Sequence, residues 1–224
     1  MTRRYRPYYR ITQMKFKYII FDWDGTVMDS AAKIVNCMQQ AALAAKLPIP
    51  SDDQVKDIIG ISLLPAIQKL FSIEVTQAEQ VVGHYKHIFL QQDSTPCPLF
   101  PNVHETLTLL KSKARLAVAT GKARRGLERA WSMTDSAHYF ENSRCADEAE
   151  SKPSPDMLQQ LLKDWQIAPQ EALMIGDSIY DMQMAEQLDM PRIAVDYGVH
   201  EHERLRLHKP IAVISDFSQL HQFV

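Results

Sequence analysis

The sequence contains no apolar run approaching the ~20 residues that a membrane-spanning helix needs, so no segment reads as a transmembrane span. It has no excess of charge of either sign. Its 25 Lys and Arg against 27 Asp and Glu leave a formal net charge of −2, which lacks the basic footprint of a nucleic-acid-binding surface. Cysteine is sparse: Cys37, Cys97 and Cys145 form no metal-ligand spacing and read as reduced, buried thiols of a cytoplasmic protein. There is no internal repeat and no low-complexity tract. What is present is 46% apolar residues in 224, enough core for one large domain or two small ones. Residues 1–13 stand apart. Arg3, Arg4, Arg6 and Arg10 are interleaved with Tyr5, Tyr8 and Tyr9, without the apolar core of a secretory leader. The reading is a disordered basic extension, with Met14 as an alternative start directly before the first strand.

The chain is organised around Tyr18-Ile19-Ile20-Phe21-Asp22-Trp23-Asp24-Gly25-Thr26. The apolar run predicts a strand buried on both faces. Two carboxylates follow it at i and i+2, a spacing that puts side chains on one face of extended chain. Asp22 and Asp24 are therefore placed together at the carboxyl end of a strand, where open α/β sheets bind ligands. Two such acids repel, and a divalent metal, a lysine or a shared proton would each compensate them. Gly25 permits the sharp turn that follows.

After this stretch the pattern becomes helical. Ser30 is a candidate helix cap, with Ile34, Val35, Met38 and Ala42 on one face up to Pro48. Ser51 with Gln54 reads as a capping box, and Thr76 with Glu79 as a second one opening a helix to about Gln92. Pro65 suits the first turn of a helix between them. Residues 31–97 thus form a small helical insertion, ended by Cys97-Pro98-Leu99-Phe100-Pro101. From there helices and apolar strands alternate. Asn102 with Glu105 boxes a helix, and strands end at Thr120 and Ile175 and span Arg192–Val195 and Ala212–Ile214. Glu141–Cys145 reads as a short edge strand. Alternation of this kind means a doubly wound parallel sheet.

Three further segments carry polar groups suited to chemistry. Thr120-Gly121 ends a strand; Lys152 stands in Ser-Lys-Pro-Ser-Pro-Asp, where prolines fix the turn and start a helix; Asp177 and Asp181 share a helix face at i, i+4. Gly121-Lys122 does not extend to a P-loop, because Leu116 and Ala123 occupy positions that need Gly and Ser or Thr. Lys122 and Arg124 fit either the flank of a substrate or a solvated helix start. Asp29 and Ser30 read as capping groups. His84, His87, His200 and His202 lack a zinc ligand set and read as surface or interface residues.

These four segments, in this order, resemble the four motifs of the haloacid dehalogenase superfamily of phosphatases, closest to its phosphoglycolate phosphatase-like branch, from about Lys15 to the C-terminus. The resemblance implies a strand order of 3-2-1-4-5 with Asp22 central, and a core of residues 14–30 and 98–224 carrying residues 31–97 as a cap. It implies Mg2+ held by Asp22, Asp177 and the backbone carbonyl of Asp24. Asp22 is expected as the nucleophile of an aspartyl-phosphate, and Asp24 as general acid and then base. Thr120 and the Gly121 backbone are expected on a phosphoryl oxygen and Lys152 as a point charge, with Asp181 orienting a metal-bound water or Lys152. Ile61-Ser62-Leu63-Leu64 resembles the specificity loop of the cap, and Tyr197-Gly198-Val199-His200 a segment after the fifth strand. The expected partner is a small phosphorylated metabolite, with no nucleic acid or membrane, in a monomer or homodimer. A phosphomutase, or a binding protein with little turnover, is the alternative.

Overall fold

Residues 15–224 are described by the computed structural model, so the basic extension and the alternative start at Met14 lie outside the described residues. Six parallel strands form one sheet: β1 (Tyr18–Phe21), β2 (Arg115–Ala119), β3 (Asn142–Arg144), β4 (Ala172–Gly176), β5 (Arg192–Val195) and β6 (Ala212–Ile214). Their order is β3-β2-β1-β4-β5-β6. The implied order of five is present, and β6 extends the sheet beyond β5.

The strands are short and buried on both faces, as parallel strands are. Ile19 and Phe21 point to one layer, where α5 (Val103–Lys111), α6 (Arg124–Thr134) and the C-terminal 3-10 turn Phe217–Phe223 supply Leu107, Leu127 and Phe217. Ile20 points to the opposite layer, with Met157 and Leu161 of α7 (Asp156–Trp165) and Met184 of α8 (Ile179–Glu186). Phe21 is in register with Val118 of β2 and with Ile175 of β4. The residues just past these strands, Asp22, Thr120 and Asp177, therefore emerge side by side at one edge of the sheet.

Between β1 and α5 the chain builds a separate helical unit from α1 (Ala31–Ala44), α2 (Asp52–Lys56), α3 (Leu63–Phe71) and α4 (Val75–His87), closed by a π-helical turn at Ile88–Gln92. Met38, Val55, Ile67 and Val81 pack into its own apolar core. Chain leaving the sheet and chain returning run side by side: the Asp29 N–H donates to the Pro98 carbonyl (2.8 Å) and the Phe100 N–H to the Val27 carbonyl (3.1 Å).

Of the helix starts expected from sequence, Ser51 and Gln54 make their reciprocal box. The second box does not form. α4 begins at Val75 with Glu74 in the extended cap conformation, which leaves Thr76 inside the first turn with no cap to make. Asn102 precedes α5 but adopts the left-handed region (φ 64°), and its side chain donates to Asp216 across the fold instead of to the helix.

Candidate active site

At the carboxyl edge of β1, β2 and β4 a buried lysine joins two carboxylates. The Lys152 ammonium donates to Asp22 Oδ1 and to Asp181 Oδ1, both at 2.6 Å. All three side chains are essentially inaccessible to water. Burial by itself would lower the Lys152 pKa, but the charges of Asp181 and Asp22 outweigh it and hold the group firmly protonated. Burial pushes Asp22 well above the usual carboxylate range against the charge of Lys152, with Asp181 and Asp177 adding to the rise. Asp177 is pushed up to about 7, by burial first and then by the Asp181 charge.

Local sequence explains each placement. Lys152 sits between β3 and α7, held by the proline-fixed turn before Asp156. Asp181 divides its carboxylate: Oδ1 takes the lysine, while Oδ2 accepts from the backbone and the hydroxyl of Ser178, capping α8. Asp177 is held on both oxygens. Thr26 donates its hydroxyl to Oδ1 (2.9 Å), and the Val199 N–H donates to Oδ2 (2.9 Å). Chain passes so close that a Cβ on Gly25 would lie 2.1 Å, and one on Gly198 2.2 Å, from Asp177 atoms. Gly25 also has φ +83°, a conformation that favours glycine. The segment Tyr197-Gly198-Val199-His200 thus holds a site carboxylate, a role its sequence does not announce.

Oxygen atoms of Asp22, Asp177 and Asp181 lie within 4.8 Å of one another. Asp22 Oδ2 is buried and has no hydrogen-bond partner. A cluster of hard oxygen donors with one atom left uncompensated fits a small divalent cation such as Mg2+.

Asp24 lies on the other side of the turn. Its Oδ1 accepts from the Ser30 hydroxyl (2.6 Å), and its Oδ2 pairs with the Lys122 ammonium (3.0 Å). The Asp24 carboxylate is therefore outside the acidic cluster of Asp22, Asp177 and Asp181. Ser30 stands at the start of α1 but makes no side-chain cap; its hydroxyl serves Asp24 instead. Trp23, between the two acids, turns away from them and packs edge-on against Trp131 and Phe140 beneath the site. Thr120 is buried and its hydroxyl accepts from the Lys122 N–H (3.1 Å). Gly121 passes under the helical unit so closely that a Cβ there would meet the Gly60 carbonyl at 2.7 Å.

Asp22, Asp24, Thr120, Gly121 and Lys122 line one cavity of about 810 Å³, roofed by the helical unit. The unit is fastened down near it. The Ser62 N–H donates to Ser151 Oγ (2.9 Å), Lys69 donates to Tyr180 Oη (2.6 Å), and Arg204 of α9 (His202–Arg206) donates to Asp57 (2.7 Å). Of the four histidines weighed as ligands from sequence, His200 is buried against this seam, with Nδ1 accepting from the Ile179 N–H, and His84 is exposed. Thr26, Ser30 and Val199 are site residues that sequence reasoning did not assign, and Lys122, open between a substrate flank and a solvated helix start, lies in the cavity. Among the described residues no helix is long and apolar enough to cross a membrane.

Known proteins resemble this chain in sequence and in fold. A phosphoglycolate phosphatase from Vibrio vulnificus is 29% identical over 220 residues, covering 94% of this chain and 96% of the relative. A Dickeya dadantii protein named "Probable phosphatase IndB" is also 29% identical, over 208 residues and 90% of each chain. The structure of a haloacid dehalogenase-like protein from Bacteroides fragilis superposes with a TM-score of 0.85 at 25% identity, over 92% of this chain and all of that one. The sequence profile of the family described as haloacid dehalogenase-like hydrolase matches residues 19–195. With most of its length inside that match, and the four motif segments gathered at one edge of its sheet, this chain belongs to the haloacid dehalogenase-like hydrolase family.

Proposed function

We propose that this protein is a Mg2+-dependent phosphomonoesterase that works through an aspartyl-phosphate on Asp22. The observation that carries the reading is the state of the Asp22 carboxylate. One oxygen is fixed by Lys152, and the other is buried and unpartnered at the floor of a cavity that also holds Asp24.

Asp22 attacks phosphorus, the bond from phosphorus to the ester oxygen breaks, and Asp24 gives its proton to that departing oxygen. Asp24 then takes a proton from a water molecule as that water attacks phosphorus, releasing inorganic phosphate and restoring Asp22. Ser30 and Lys122 hold the Asp24 carboxylate at the cavity wall for both transfers. Lys152 keeps Asp22 oriented and supplies positive charge beside the phosphoryl group, while Thr120 and the Gly121 backbone take a phosphoryl oxygen. Asp22, Asp177 and the Asp24 carbonyl would hold Mg2+, which when bound neutralises charge between the carboxylates and the phosphoryl group. The seated helical unit excludes bulk water, and opening it releases product.

The relatives support phosphate-ester chemistry more firmly than any one substrate. One is named for phosphoglycolate, and another of equal identity carries a phosphatase name with no substrate in it. A direct test is phosphate release from a generic phosphate ester with Mg2+ and with chelator, by the natural protein and by Asp22→Asn. Release that needs both Mg2+ and Asp22 is expected; transfer to a sugar acceptor without release would favour the phosphomutase.

A further inference from the structure

The cavity has two unlike surfaces. Its floor is the acidic and basic cluster described above. Its roof, from the helical unit, is mostly apolar: Met38, Ile61, Leu64, Val82, Tyr85 and Phe89 face it, with the hydroxyls of Ser62 and Tyr85 as its neutral polar groups. Tyr85 and Phe89 stack on each other, with ring centroids 5.7 Å apart and planes 30° from parallel. Phe89 is pinned further by the Lys33 and Lys122 ammonium groups, 4.9 and 5.6 Å from its ring centre. It lies in the π-helical turn Ile88–Gln92, and such turns gather at functional sites.

Size and charge both argue about the leaving group. A cavity of about 810 Å³ is in the range of about 300–1,000 Å³ that accepts drug-sized ligands, and a two-carbon alcohol leaves most of it unfilled. A second carboxylate on that alcohol would need a cation or donors within the roof. Among the described residues, Lys86 is the one cation that the helical unit contributes to the lining, and it is exposed. From the core, Lys122 is committed to Asp24, and Arg125 and Arg129 are exposed at the rim. The lining side chains of the helical unit add neutral hydroxyls, those of Ser62 (buried and without a partner) and Tyr85, but no buried cation; a carboxylate pushed against that wall would be buried with no charge to pair it, a costly state.

We infer that the alcohol half of the substrate is a bulky apolar or aromatic group seated on the Tyr85–Phe89 pair, and that the site discriminates against phosphoglycolate. The inference rests on the phosphomonoesterase reading for the position of the phosphoryl group. The small rings of the roof select by buried area, and the exposed cations at the rim draw in the anionic ester without contacting its apolar end.

The test compares 2-phenylethyl phosphate with ethyl phosphate, which share the chemistry of a primary alkoxide leaving group and differ by one phenyl ring, and with phosphoglycolate. Binding of each is measured by titration calorimetry to Asp22→Asn in Mg2+, and kcat/KM of each with the natural protein. The phenyl ester is expected to bind about 30-fold more tightly than ethyl phosphate, the scale of one buried ring. Phosphoglycolate should bind no better than ethyl phosphate. Phe89→Ala in the same background should cut the phenyl preference about tenfold. Equal binding of the two alkyl esters, tighter binding of phosphoglycolate, or no binding of any of the three overturns the inference. Failure of the underlying reading looks different: turnover that persists in chelator or in Asp22→Asn, whichever ester is preferred.

Discussion

The floor and the roof of the cavity are built on opposite principles. On the floor, the ionisable groups are buried: Lys152 ties Asp22 to Asp181, Asp177 is held by Thr26 and Val199, and each carboxylate oxygen but Asp22 Oδ2 has a partner. On the roof, the side chains from α1, α3, α4 and the π turn are mostly apolar and offer a ligand shape more than charge. Breaking a buried ion network is expensive because the partner left behind stays charged and dry. Trimming an apolar wall removes only the area it covered. On the proposed reading the floor is chemistry common to every substrate, whereas the roof sets which ester fits; the two meet at Lys122, which pairs with Asp24 and lies over the Phe89 ring.

The sharpest way to break this division is at the floor. Asp22→Asn should lower kcat by about 10⁴-fold or more, as loss of a nucleophile does, and by the same factor for every ester. Steady-state rates on two unlike esters decide it; a loss confined to one ester would move Asp22 from chemistry to specificity. Lys152→Met leaves two buried carboxylates facing each other. It should cost about 3–5 kcal/mol of stability, read as a lower urea midpoint, in addition to abolishing turnover. Asp24→Asn should lower kcat/KM, which reports loss of the leaving group and not hydrolysis of the shared intermediate, by about 10²- to 10⁴-fold for alkyl esters, with a smaller loss for nitrophenyl phosphate, whose leaving group departs without a proton. Equal losses on both esters would remove Asp24 from the leaving-group step.

Smaller effects refine the boundary between the two surfaces. Gly198→Ala drives a methyl into Asp177, so the Mg2+ concentration giving half-maximal activity should rise about 10- to 100-fold, as when groups supporting a metal ligand are lost. At the seam, burial would raise the Asp57 pKa, but the hydrogen bond and charge of Arg204, followed by the charge of Lys69, hold it below its usual value. A depressed carboxylate stabilises the fold above its unfolded pKa and loses that contribution as pH falls through the folded one. The melting temperature of the natural protein should exceed that of Asp57→Asn above about pH 4 and converge with it at lower pH. A difference that stays constant with pH would show that the seam is not held by charge.

Much of the floor was legible because its members are marked by local context. Asp22 and Asp24 follow an apolar strand, Lys152 stands among prolines, and Asp177 follows another strand; parallel strands in register then bring these ends together. The helix face expected for Asp177 and Asp181 is not formed, because Asp177 lies between β4 and the Ser178 cap and only Asp181 is on α8. Lys152 is read with Asp22 and Asp181, and the structure joins them; what escaped reading was the partners of Asp177 and Asp24. Thr26 reaches Asp177 across 151 residues, and Ser30 resembles an ordinary helix cap until its hydroxyl is seen on Asp24. Lys122 fitted a solvated helix start as well as an active site; only the fold puts its ammonium 3.0 Å from Asp24. The Thr76 and Asn102 boxes misled because a capping pattern fixes which residues can pair and not where the chain becomes extended, and here that happened at Glu74 and elsewhere. The roof was the least legible part. Apolar residues on its helices satisfy the same periodicity whether they face the unit's own core or the cavity, and the π turn that carries Phe89 leaves no mark in that pattern.

The central claim is that Asp22 carries the phosphoryl group. Its most direct measurement is a rapid acid quench of the protein turning over a phosphate ester in Mg2+, followed by peptide mass analysis. The account predicts a phosphoryl group on the peptide containing Asp22, absent when chelator replaces Mg2+ and absent in Asp22→Asn. Turnover at full rate by the Asp22→Asn protein, or a phosphoryl group trapped on a different residue, would contradict it.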